Sequence, residues 1–243
     1  MDIQVFKRYE KKFLLTMEQF ALLLPEIKRH MHEDPYCLHV QTYHLRNIYY
    51  DTPDHQLIST SILGPKFKEK FRIRKYGTYG DGSTKVFLEV KRKITGVVTK
   101  RRVLVSEAEA QGFMEKSMLP ERQDYFSKQI LKELLYLRSI YDLKPAYFIA
   151  YDRLAFLDKD HEEFRVTFDS NIISRTQDFS FEHSGKGATL LTPGTILMEV
   201  KVGEGMPLWF TKLLSSLTIY LNHFSKYGKA FEKNMVKEIH NDV

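Results

Sequence analysis

The chain has 243 residues, 43% hydrophobic and 28% charged, which excludes a disordered or low-complexity polypeptide and leaves room for one large domain or two small ones. Its net charge of +6 favours an anionic partner such as phosphates, nucleic acid or a membrane surface. A single cysteine, Cys37, excludes a disulfide framework and a cysteine-based metal site within the chain, and is read as a small, partly buried apolar side chain.

In chain order, residues 5–15 alternate as a strand. Thr16, with Gln19 three residues on, forms a capping box ahead of FALLL and starts a helix that Pro25 is expected to kink or end. Strands follow at 40–50, 67–77, 84–93 and 97–105, with TYGDGS (78–83) and ITG (94–96) as the hairpin turns. Residues 121–139 carry Phe126, Ile130, Leu134 and Leu137 at helical spacing. Strands at 145–157 and 163–169 flank a polar turn at 159–161, and a last strand spans 194–203. The stretch 174–193, with HSGKG, is the most loop-like. LWFTKLLSSLTIYL after Pro207 is a strongly apolar helix that must cover something. No linker divides the chain, so 1–243 reads as one domain, mainly β, and an antiparallel sandwich or closed barrel is expected. No run approaches about 18 apolar residues, and the first residues lack the apolar run of a signal peptide; the expectation is a soluble, cytoplasmic protein with no membrane insertion.

KFKEKFRIRKYG (66–77) puts Lys66, Lys68, Lys70, Arg72 and Arg74 on one side of one strand. The habit recurs. Arg8, Glu10 and Lys12 share a face, as do Glu89, Lys91 and Lys93, Lys100 and Arg102, Arg165, Thr167 and Asp169, and Glu199 and Lys201; Arg153 sits between Tyr151 and Ala155. A solvated sheet face would account for any one of these strands. It accounts less well for all of them, because cations outnumber the counterweights Glu10, Glu89, Asp169 and Glu199. Alternate residues lie about 7 Å apart, where like charges repel by about 0.6 kcal/mol in water and about 2.4 kcal/mol at an effective dielectric near 20. Such a face is tolerable if anions enter it. The few carboxylates could then hold a hard divalent metal against phosphate oxygens. Histidines show no zinc spacing, and the cationic faces carry few stacking aromatics, so nucleic acid is a poor partner.

The stretches RYEKKFLL (8–15), IYYDTPD (48–54), KFRIRKYG (70–77), FLEVKRK (87–93), VTKRRV (98–103), YDRLAF (151–156), FRVTFD (164–169), ILMEVKV (196–202) and FSKYGKA (224–230) occur in the order of the VTC-type polyphosphate polymerase domain. In these the chain resembles that family, within the CYTH or triphosphate tunnel metalloenzyme superfamily. The resemblance implies a closed eight-stranded antiparallel β-barrel with flanking helices and a charged tunnel. In it the γ-phosphoryl group of ATP passes to a polyphosphate chain, with Mn2+ or Mg2+ on a glutamate. It implies Lys12, Arg72, Arg74 and Lys226 as catalytic cations. Arg8, Lys91, Lys100, Arg102, Arg153, Arg165 and Lys201 would bind phosphate, and Glu199, with Glu10 and Glu89, the metal. The implied partners are ATP or another triphosphate, and polyphosphate. The hydrolytic branch of the superfamily begins E-x-E-x-K. Here the first acid is Arg8, which favours the polymerase-like branch, while a metal-dependent triphosphatase and a non-catalytic polyphosphate-binding module remain alternatives.

Overall fold

The described parts of the alternating segments form strands in the computed structural model, which describes residues 9–35, 37, 42–64, 66–77, 82–95, 97–160, 163–183 and 186–241; residues 5–7 and 40–41 of the expected strands lie outside them. In order the elements are β1 (Tyr9–Thr16), α1 (Met17–His30), β2 (Met31–Glu33), β3 (Tyr43–Asp51), α2 (Gln56–Leu63), β4 (Phe67–Tyr76), β5 (Lys85–Ile94), β6 (Val97–Ser106), α3 (Glu107–Lys116) and α4 (Tyr125–Ile140). They continue with β7 (Lys144–Asp158), β8 (Arg165–Arg175), β9 (Ala188–Thr189), β10 (Thr195–Val202), α5 (Leu208–Ser216) and α6 (Lys226–Asn241). Arg8, His161, Gly96 and residues 78–81 and 184–185 of the expected turns and loop lie outside the described residues.

The strands form one ten-stranded sheet in the order β1-β10-β8-β7-β3-β4-β5-β6, with β2 added to β7 and β9 to β8. This corrects the expected closed eight-stranded barrel: the sheet is open, and no pairing joins β6 to β1 among the described residues. Other groups engage part of both outer strands. Phe13 of β1 bridges to Leu221, and the Asn222 N–H donates to the Lys12 carbonyl at 2.7 Å. On β6, Arg122 donates through Nε and Nη2 to the Leu104 carbonyl at 3.2 and 2.8 Å. These contacts satisfy one backbone carbonyl on each outer strand.

The chain divides into two compact units. Unit 1 holds residues 1–44, 151–172 and 189–225; unit 2 holds 45–150, 173–188 and 226–243. In unit 1, Phe13, Leu15, Val166, Phe168, Met198 and Val200 project from one side of β1, β8 and β10 into a core closed by Leu23 and Ile27 of α1 and Phe210 and Leu214 of α5. The apolar helix after Pro207 therefore covers strands, as its composition demands. The capping box forms: Thr16 Oγ1 accepts from the Gln19 N–H at 3.1 Å, and the Gln19 side chain accepts from the Thr16 N–H at 3.0 Å. Pro25 neither ends nor divides α1, which runs on to His30. Leu23 and Ile27, buried on either side of it, hold the turn against the loss of one N–H. Trp209 packs in the helix layer, stacked on His30 with centroids 4.2 Å apart. Cys37 is buried.

In unit 2, Phe71 and Ile73 of β4, Val86, Leu88 and Val90 of β5, and Val103 and Val105 of β6 form the dry side of the sheet. Phe113 of α3 and Leu131, Leu134 and Leu137 of α4 lie on it. Phe126, expected on the apolar stripe of α4, is exposed in its first turn instead. The expectation of cations on the other side of β4 holds: the core residues Phe71 and Ile73 alternate with Lys70, Arg72 and Arg74.

Candidate functional site

Two ionic clusters, largely buried at their centres, occupy the sides of these strands opposite the apolar cores, one in each unit. In unit 2 the register sets Tyr49, Arg72, Glu89 and Arg102 in one row across β3, β4, β5 and β6. Asn47, Arg74, Phe87 and Leu104 form the row on one flank, and Lys70, Lys91 and Lys100 that on the other. Glu89 is the hub. Arg72 donates to its Oε2 through Nε and Nη2 at 2.8 and 2.7 Å, and Lys100 Nζ lies 2.8 Å from Oε1. Arg74 and Arg102 stand at 3.9 and 4.0 Å. Burial pushes the Glu89 carboxyl up, but Arg72, Arg74 and Lys100 outweigh it and hold the group well below the usual carboxylate range. Burial, together with Arg72 and Arg74, pushes the Lys100 ammonium down to about 7 against the pull of Glu89.

Neighbours fix the arginines. Arg74 Nε donates to Asn47 Oδ1 at 2.7 Å, and Asn47 in turn donates to the Ile149 carbonyl at 2.9 Å. Arg102 lies over the Phe87 ring at 4.6 Å. Arg72 Nη1 donates to Tyr49 Oη at 2.9 Å. Lys68 Nζ donates to the Ser61 carbonyl of α2 at 2.9 Å, and Lys70 sits 5.8 Å over the Tyr227 ring. Lys226 opens α6 and is buried.

In unit 1 the signs interleave. Glu10, Lys201 and Arg165 are register partners across β1, β10 and β8, and Lys12, Glu199 and Thr167 form the next row. Arg153 forks onto Asp169 at 2.6 and 2.7 Å and reaches Glu199 Oε2 at 3.0 Å. Arg165 donates to Asp34 Oδ2 at 2.7 Å. Lys12 Nζ donates to the Phe224 carbonyl at 2.8 Å and lies 3.4 Å from Glu10 and 3.6 Å from Glu199. Burial pushes the Lys201 ammonium down to about 8, with Arg153 and Arg165 adding to it and Glu10 and Glu199 opposing.

Among the described residues no three His, Cys, Asp or Glu side chains stand together as a metal cage. Magnesium-like ions that bind through one or two carboxylates plus phosphate oxygens need no such cage. Glu10 and Glu199 fit that requirement, since both reach the Lys12 ammonium and so lie close together, with Arg153 on the other oxygen of Glu199. Glu89 fits it less well, because four cations surround its single carboxylate.

The sequence singled out the cations and acids of both clusters, but not Tyr49, Asn47 or Asp34 as their partners. Tyr49 lay inside a quoted motif; its facing Arg72 becomes visible only with the β3–β4 register. Two hollows of about 240 and 300 Å3 in unit 2, meeting at Tyr147, Thr176 and Asn234, are lined by none of the clustered cations.

An open antiparallel sheet, backed by helices on its apolar sides and bearing clustered arginine, lysine and glutamate on the opposite sides, defines a mainly β protein with ionic clusters built into its strands. The VTC domain profile matches residues 7–234, and the chain belongs to that family. Its fold is shared with a candidate adenylate cyclase from Bacillus halodurans, with a TM-score of 0.52, 17% identity, and 89% of this chain and 92% of that one covered. A weaker match is to a chain of the Schizosaccharomyces pombe Mediator head module, with a TM-score of 0.42, 8% identity, and 87% and 90% covered. No curated protein sequence matches the chain.

Proposed function

We propose that the chain is a metal-dependent phosphotransferase that moves the γ-phosphoryl group of ATP to the end of a polyphosphate chain. The observation that supports this reading is the cluster around Glu89, where Arg72, Arg74, Lys100 and Arg102 converge on one carboxylate. Four cations gathered at one carboxylate suit the group to a multiply charged anion. Phosphoryl transfer asks mainly for positioning and charge neutralisation, and preset guanidinium and ammonium groups supply both. A terminal phosphate oxygen attacks the γ-phosphorus, the bond to the β-phosphate oxygen breaks, and ADP leaves. Arg72, Arg74, Lys91, Lys100, Arg102 and Lys226 would take phosphoryl oxygens. Lys12, Arg153, Arg165 and Lys201 are assigned the same chemistry in unit 1, and Arg8 is assigned to phosphate on the family motif alone. Glu10 and Glu199 would hold a divalent metal, which when bound neutralises charge on phosphate oxygens.

The test is incubation of the purified chain with ATP and manganese or magnesium. Long-chain polyphosphate accompanied by ADP is the expected outcome. Free phosphate from ATP or inorganic triphosphate without polymer would replace the reading with a triphosphatase, and binding without turnover would replace it with a polyphosphate-binding module.

A further inference from the structure

Beneath the cations of unit 2 lies an aromatic stack. The Tyr49 and Tyr227 rings pack with centroids 4.5 Å apart and planes at 27°. Tyr227 Oη donates to Asp51 Oδ2 at 2.6 Å. Asp51 is fully buried and accepts the Leu57 and Ile58 N–H groups of α2 at 2.8 and 3.0 Å. One end of the stack is thus anchored in the first turn of a helix. At the other end Tyr49 Oη accepts from Arg72 Nη1, on the side of the guanidinium away from Glu89. Glu89 and Tyr49 therefore hold Arg72 from two directions, which fixes its plane as well as its place. Tyr227 is also the residue next to Lys226, so the same stack sets the start of α6.

We propose that Tyr49 is a positioning residue: its hydroxyl orients the Arg72 guanidinium toward phosphoryl oxygens, and its ring, stacked on Tyr227, holds the first turn of α6 with Lys226. This rests on the reading that Arg72 binds phosphate. Around Tyr49 stand Arg72, Arg74 and Lys70 from β4 and Tyr227 from α6; Glu89 from β5 is reached through Arg72 and Lys100 from β6 through Glu89, while Asp51 from β3 and Tyr147 from β7 are reached through Tyr227. Burial pushes the Tyr49 phenol up, but Arg72, Arg74 and Lys70 overcome it and bring it down to about 8. The sign follows. Below that value the hydroxyl is neutral and accepts from Arg72. Above it the phenolate competes with an incoming anion for the same guanidinium, so anion binding weakens as pH rises.

The experiment is calorimetric titration of the full chain with inorganic triphosphate at pH 7 and pH 9, for wild type, Tyr49→Phe and Arg72→Ala. Phenylalanine keeps the stack and removes the hydroxyl. Tyr49→Phe is expected to bind about 5- to 10-fold more weakly at pH 7, the worth of an ordinary net hydrogen bond. It should also lose less affinity than wild type between pH 7 and pH 9. Lys100 titrates in all three proteins, so it does not account for a difference in slope. Wild-type affinity and slope in Tyr49→Phe would overturn the positioning role. Unchanged binding in Arg72→Ala would instead overturn the phosphate reading beneath it. Should Tyr49→Phe not fold, the tyrosinate absorbance of the wild type decides: saturating triphosphate should move the most acidic phenol to higher pH, and no movement would overturn the proposal.

Discussion

Glu89 holds four cations together, and its neighbours show what its loss would cost. Replacing it with glutamine leaves Arg72 and Lys100 crowded without their shared counter-ion. Glu89→Gln is expected to destabilise the fold by about 3–5 kcal/mol, the range for breaking one side of a buried ion pair, measured by urea denaturation at pH 7. Because the folded carboxyl lies below the ordinary value, its contribution is present above the unfolded glutamate pKa, near about 4.3. It is lost as pH falls from there toward the depressed folded value. The difference between wild type and Glu89→Gln should therefore narrow below about pH 4. Glu199 behaves differently. Arg153 keeps its fork on Asp169 whether or not Glu199 is charged, so Glu199→Gln is expected to change stability by about 1 kcal/mol. If Glu199 carries the metal, turnover should fall at least about 100-fold. Equal loss of folding and turnover would assign it a structural role.

At the scale of elements, capping and the dry faces of strands carry the architecture. Thr16→Ala removes one half of a reciprocal cap at the start of α1 and should cost about 1 kcal/mol. Leu134→Ala, beneath α4, should cost about 2–5 kcal/mol, and thermal melts rank the two. The same two kinds of signal made much of the fold legible. Alternation located eight strands, because a period of two survives any tertiary context that buries one face. Parity also placed Arg72, Arg74, Glu89, Lys100 and Arg102 on a shared side before any register was known. Three helices were passed over for different reasons. The Ser106–Glu109 capping box of α3 is as clear as that of α1, but it abuts β6 without a loop. The cap of α2 comes from Asp51, outside the helix and across Pro53. In α6, Gly228 and a mostly polar composition dilute the pattern. Barrel closure was misjudged because a period of two within each strand says nothing of whether the first and last strands pair. Partnerships such as Lys12 with the Phe224 carbonyl span 212 positions, and no local spacing encodes them.

For the whole chain the relevant quantity is charge. A net +6, with cations gathered around a single acid on unit 2, predicts that polyanions stabilise the fold and that salt weakens the effect. Inorganic triphosphate at about 100 times its dissociation constant should add about 2.7 kcal/mol, or about 5–10 °C in the melting midpoint of a chain this size. Raising sodium chloride should shrink that shift, while a neutral sugar at equal concentration should give none. Among the described residues no helix is long and apolar enough to cross a membrane.

The finished borders of the sheet carry a consequence for handling the protein. Main chain at Leu221 and Asn222 lies along β1, and the Arg122 guanidinium grips a carbonyl of β6, like hems on a cloth. Another copy seeking to stitch itself on at those places must first unpick them. On β1 a fault at Leu221 or Asn222 would bare backbone that is now paired, and would show first as clumping in the tube.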